Sequence, residues 1–87
     1  MPIENFQKFA TLVLMNNLRN QQELDEFGAK LNSLRVSKNL TLEQLAFESE
    51  METSQVHRIE KGKINPTLTT LHALARGLKI SLAELVG

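Results

Sequence analysis

Residues 41–67 read TLEQLAFESEMETSQVHRIEKGKINPT, and two short helices are written into this stretch. Thr41 offers a side-chain oxygen to the first turn of a helix, and Gln44 stands three residues on, the spacing of a reciprocal capping box. Leu42, Leu45 and Ala46 fall on one face of that helix, expected over residues 42–48. Thr53 is expected to cap a second helix over 54–61, with Val56 and Ile59 turned inward. Gly62 can adopt the left-handed conformation that stops a helix, and Pro66 keeps Asn65 out of the helical region before the next start.

Few residues separate these two helices, too few for an antiparallel pair of long ones, which is the geometry of a helix-turn-helix motif. With Val56 and Ile59 inside and successive residues about 100° apart on the wheel, the outer face of the second helix carries Ser54, His57, Arg58 and Lys61. A hydroxyl, an imidazole, a guanidinium and an ammonium are donors suited to base edges and phosphates. For an arbitrary amphipathic helix the same residues would be a solvated face.

Outward from this stretch the chain reads as helix throughout. Ile3, Phe6, Phe9, Ala10 and Val13 recur at spacings of three and four, which predicts a helix over about residues 3–18. The polar run Asn16, Asn17, Arg19, Asn20, Gln21, Gln22 either breaks it or continues it as a wet segment. Leu24, Phe27, Leu31 and Leu34 mark a further helix from near Asp25 to Lys38-Asn39. After Pro66, Thr67 caps a helix carrying Leu68, Leu71, Leu74, Ala75 and Leu78, and Ser81 caps a last one over 82–86. The expected core includes Leu42, Leu45, Met51, Val56, Ile59, Leu68, Leu71 and Leu74.

With 87 residues the chain is one small domain with little room for a catalytic cleft. It has no cysteine, tryptophan or tyrosine, which removes disulfides, thiolate metal sites and thiol nucleophiles. Ten basic residues balance ten acidic ones, so net charge neither favours nor forbids a nucleic-acid partner. No signal peptide and no membrane span are read in the apolar patch from Phe9 to Met15, and a cytoplasmic location is expected. No nucleophile is paired with a base, no acidic dyad has metal spacing, and no glycine-rich phosphate loop is present, so an enzyme is not expected. His57 and His72 fall on different helices without a carboxylate at ligand spacing, so neither a metal nor a cofactor is expected.

Residues 27–86 resemble the phage-repressor-type, Cro-like (xenobiotic-response-element) helix-turn-helix family. The resemblance is carried by FGAKLNSLR, LTLEQLA, SQVHRIEKGKINPTL and LARGLKISLAELV at their mutual spacings. It implies an all-α, lambda-repressor-like five-helix DNA-binding domain over residues 24–87, with an extra N-terminal helix in an extension over 1–23. It implies base contacts from Thr53, Ser54, His57 and Arg58, and phosphate contacts from Lys38, Gln55, Lys61, Lys63, Asn65 and the amides around Ile64. Gln55 and His57 would stand at the groove wall. It also places Arg35 beside Glu60 as a structural ion pair. Glu50 stands where relatives usually have a turn glycine, and Leu42 where a phosphate-clamping glutamine is common.

The implied function is sequence-specific binding of double-stranded DNA by a homodimeric transcriptional regulator, a repressor acting at a palindromic operator. The alternative is a protein-protein interaction module or antitoxin-like partner-binding protein of the same fold, because Glu43, Glu48, Glu50, Glu52 and Glu60 outnumber the four bases between Lys38 and Asn65. Repressor, antitoxin and restriction controller stay open at this point. The N-terminal helix is expected to serve dimerisation, with docking of another protein or packing on its own domain as alternatives.

Overall fold

The computed structural model describes residues 3–87, with side chains described for Lys8 and residues 20–87. Five helices follow one another: α1 (Ile3–Ser37), α2 (Leu42–Glu48), α3 (Thr53–Glu60), α4 (Leu68–Leu78) and α5 (Leu82–Val86). There is no strand among the described residues.

The polar run at 16–22 does not break the first helix. α1 continues through it for 35 residues, roughly 52 Å at 1.5 Å per residue, which accounts for the 55 Å long axis of the molecule. Nothing between Ile3 and Phe27 could stop it: there is no proline or glycine. Asparagine costs a helix only a few tenths of a kcal/mol relative to its neighbours, and arginine and glutamine are good helix formers. The expected helices at 3–18 and from Asp25 are therefore one. The apolar stripe Ile3, Phe6, Phe9, Ala10 and Val13 lies outside the residues whose side chains are described.

The second half of α1 packs on α3 and α5, α2 packs on α3 and α4, and α4 packs on α5. Their apolar faces meet in one core of Leu31, Leu45, Ala46, Val56, Ile59, Leu74, Ala75, Leu78 and Leu85. Phe27, Leu34, Leu42, Met51, Ile64 and Leu71 close around it as half-buried neighbours. Leu68 departs from the expected core and is 63% exposed. It is the first residue of α4, one turn before Leu71, where the helix has not yet reached the core.

Three helices begin as expected. The Thr41 and Gln44 side chains bond each other's backbone N–H, at 3.1 and 2.8 Å respectively, completing the capping box. Thr67 and Ser81 accept from the N–H of Thr70 and Glu84. Thr53 does not cap α3. Glu52 occupies the cap position with extended backbone, its carbonyl takes the first helical hydrogen bonds from Gln55 and Val56, and no side chain caps the helix. Thr53 is thereby drawn into the first turn.

The helix ends share one device. At the ends of α1, α2, α3 and α4 a residue with positive φ (Asn39, Glu50, Gly62 and Lys79) donates its N–H three residues back, and the next residue donates five residues back at 2.9–3.1 Å. This double closure satisfies terminal carbonyls and turns the chain sharply. Only one of the four is glycine, so Glu50 accepts the left-handed backbone at φ 55° rather than reshaping the turn between α2 and α3. The substitution Glu50→Gly is expected to stabilise the domain by roughly 0.5 to 1 kcal/mol, the left-handed penalty less the added chain entropy of glycine. Thermal unfolding monitored by circular dichroism would show it as a midpoint raised by a few degrees, and an unchanged or lowered midpoint would contradict it.

Candidate nucleic-acid interface

α3 is an eight-residue helix, too short to persist without tertiary support. Its inner side is anchored by Val56 and Ile59, both fully buried. Its C-terminal end is gripped by a row of α1 residues at alternating spacings of four and three: Gln21, Asp25, Gly28, Asn32 and Arg35. These positions share one face of α1. Arg35 Nε donates to Glu60 Oε2 at 2.7 Å and Nη2 to Oε1 at 3.1 Å, while Nη1 reaches the Leu40 carbonyl at 2.8 Å. Asn32 Nδ2 donates to the same Glu60 carboxylate at 2.8 Å. Gly28 lets the helices touch, because a Cβ there would collide with the carbonyl oxygens of Ile59 and Glu60. Gln21 Nε2 donates to the carbonyl of Gly62 at 2.9 Å.

The Arg35 and Glu60 side chains are 13% and 4% exposed. The hydrogen bond with Glu60 raises the Arg35 pKa above its ordinary value, burial works against it, and the charges of Glu60 and Glu43 add to the rise. Both carboxylate oxygens of Glu60 have a donor. Among the described residues this is the one ion pair.

The opposite side of α3 is bare. Ser54, His57 and Arg58 are exposed, Thr53 and Gln55 are half-buried at its edges, and none of the five side chains has a hydrogen-bond or ion-pair partner among the described residues. Lys61 and Lys63 are exposed in the turn after it. The N–H groups of Lys61, Gly62 and Lys63 are consumed by the helix closure, whereas those of Ile64 and Asn65 have no partner among the described residues. Arg58, Lys61, Lys63 and these two amides thus succeed one another at the C-terminal end of α3. Lys38 stands apart from this run. Lys38 lines a shallow groove with Leu40, Glu48 and Lys79, and Asn65 lines another with Asn20, Leu24, Phe27 and Val86.

Charge is segregated in the same way. Glu43, Glu48, Glu50 and Glu52 are exposed along α2 and the turn leading into α3, while Glu60, the fifth acid, is neutralised by Arg35. Two features are not legible from the sequence. The row Gln21, Asp25, Gly28, Asn32, Arg35 is visible as a spacing, but only once 16–22 is known to be helical does it become a face. Phe47, 82% exposed, is the other: the inward set Leu42, Leu45, Ala46 and Ser49 leaves it on the outer side of α2.

Residues 31–85 match the family described as helix-turn-helix. The chain belongs to that family. It is 35% identical over 60 residues to the immunity repressor protein of Bacillus phage phi105, covering 69% of this chain and 42% of that protein. A transcriptional activator, BcrR of Enterococcus faecalis, is 34% identical over 61 residues, which cover 70% of this chain and 30% of its own length. The chain therefore spans less than half of either relative. Control protein C.MunI of a Mycoplasma species is 38% identical over 60 residues, 68% of this chain and 81% of that one. Among solved structures, the restriction-modification controller protein C.AhdI from Aeromonas hydrophila superposes with a TM-score of 0.72 at 39% identity, covering 74% of this chain and 97% of that chain. These relatives are named as regulators and control proteins, not enzymes. Among the described residues no helix is long and apolar enough to cross a membrane.

The grip of α1 on α3 makes a direct prediction. Glu60→Ala leaves a partly buried guanidinium without its carboxylate and is expected to cost about 3 to 5 kcal/mol. Urea unfolding would register this as a large fall in midpoint, and a change under about 1 kcal/mol would mean that the pair does not hold the helix.

Proposed function

We propose that this helix-turn-helix domain acts as a homodimeric, sequence-specific repressor, each copy placing α3 in the major groove of one half of a palindromic operator. The observation that carries the reading is the outer face of α3, where Ser54, His57 and Arg58 are exposed without partners among the described residues, on a helix held rigidly from its other side. Arg58 is the principal base reader, since its fork can donate two bonds to guanine and discriminate by roughly 1 to 3 kcal/mol. Thr53, Ser54 and His57 line the same groove.

Phosphates are assigned to Lys38, Gln55, Lys61, Lys63, Asn65 and the amides of Ile64 and Asn65, which have no partner among the described residues. Pairing of two copies is assigned to the extension over residues 1–23, which lies outside the family match and precedes the domain over 24–87. Two-fold symmetry places the half-sites about one helical turn, roughly 34 to 36 Å, apart. Such a regulator works in the cytoplasm beside the chromosome.

One observation favours a second reading, that of a protein-binding module. Phe47 stands exposed beside Leu40, Glu43, Gln44 and Glu48, an apolar anchor with an acidic rim. Salt separates the readings, since binding through several phosphates weakens steeply as salt rises, whereas an apolar protein contact hardly responds.

Selection of bound duplexes from a random-sequence pool at two salt concentrations is the test, with Arg58→Ala beside the parent. The parent is expected to enrich a palindrome and the variant to lose or relax it at one position in each half. Enrichment of nothing at either salt would refute DNA recognition, and a single asymmetric half-length site would refute the dimer.

A further inference from the structure

We propose that Gln21 and Asp25 of α1 are positioning residues for phosphate binding by the loop from Lys61 to Asn65. Their role rests on the DNA-binding reading and extends its machinery to a part of α1 that lies outside the family match.

The geometry runs through one peptide plane. Gly62 sits at φ +70°, where the absence of a side chain makes its torsions permissive, and its carbonyl oxygen belongs to the plane that sends the chain on to Lys63. Gln21 Nε2 holds that oxygen at 2.9 Å. The same amide donates its other hydrogen to Asp25 Oδ1 at 2.8 Å, so both donors are engaged and the amide cannot rotate without losing one of them. Asp25 lies against the turn from the other side, since a Cβ on Gly62 would strike its carboxylate. A hinge-prone glycine is thus bracketed by two α1 side chains one helical turn apart.

The phosphate-binding segment begins just past this hinge. Lys63 and the N–H groups of Ile64 and Asn65, which have no partner among the described residues, all lie beyond Gly62, and their direction depends on a plane that Gln21 holds at its oxygen and the Lys63 N–H bond to the Arg58 carbonyl holds at its nitrogen. Asp25 makes the reading sharp, because it is an exposed acid placed beside this segment. If it acted on DNA only as a charge, it would repel phosphate, and removing it would tighten binding. As the brace that orients Gln21, its removal weakens binding instead.

The test measures the dissociation constant of the full chain for its selected duplex across a series of salt concentrations, for the parent, Gln21→Leu and Asp25→Ala, with thermal unfolding alongside. Gln21→Leu keeps the bulk of the side chain without its donors. It is expected to weaken binding about fivefold, the scale of one hydrogen bond. The salt slope should fall by about 0.9 for each phosphate no longer neutralised. Base preference should hold, and the unfolding midpoint should fall by only the few degrees that a lost hydrogen bond costs, leaving the chain folded at the assay temperature. Asp25→Ala is expected to weaken binding in the same direction. Parental affinity and slope in Gln21→Leu, or tighter binding by Asp25→Ala, would overturn the inference while leaving DNA recognition intact. A parent that selects no duplex would overturn both.

Discussion

The Arg35–Glu60 ion pair is the constraint on which the presentation of α3 depends. A helix of eight residues has no stability of its own, and its two buried residues, Val56 and Ile59, fix its depth but leave its end free to swing. Arg35 removes that freedom by binding Glu60 with two nitrogens and the Leu40 carbonyl with a third. One guanidinium therefore joins the end of α1, the turn before α2 and the last turn of α3. Its planar fork makes this possible, and a lysine at the same place would supply a charge without the geometry. Burying two charges is offset here because Asn32 and the Leu40 carbonyl add hydrogen bonds to those of the pair itself.

A zero net charge conceals an ordered distribution. Acids occupy α2 and the turn before α3, and bases occupy the end of α3 and the loop after it. The acids near the start of α3 suit the positive end of the helix dipole, and the bases beyond its last turn sit at the negative end. The basic end attracts a polyanion, and the exposed acids weaken that attraction toward α2. Overall charge carries no information about such a surface, which explains why neither composition nor isoelectric point distinguishes this domain from one that binds protein.

The turns show how far tertiary packing can override local preference. Asn39, Glu50 and Lys79 hold left-handed backbone without being glycine. Asparagine tolerates that conformation, but glutamate and lysine do so only because the flanking helices are fixed by burial on both sides of the turn. Leu45, Ala46 and Ser49 before Glu50, and Val56 and Ile59 after it, leave the chain no other way across.

Much was already determined by the sequence itself. Apolar spacing placed α2 to α5 to within a residue or so, because each is short and bounded by a cap or a turn residue whose chemistry is local. Gly62 and Pro66 announced their turn, and the outward set Ser54, His57 and Arg58 came from where Val56 and Ile59 must point. Other features were decided only in three dimensions. The polar run at 16–22 was ambiguous because nothing in it either demands or forbids a helix, and only the continuous α1 resolves it. Leu68 belongs to an apolar stripe but lies beyond the reach of the core, and Thr53 is a cap residue by type whose place was taken by Glu52. The contacts of Gln21 and Asp25 with the Gly62 turn join positions about forty residues apart. Hydrogen bonds of that span are set by how helices pack, and no local pattern encodes them.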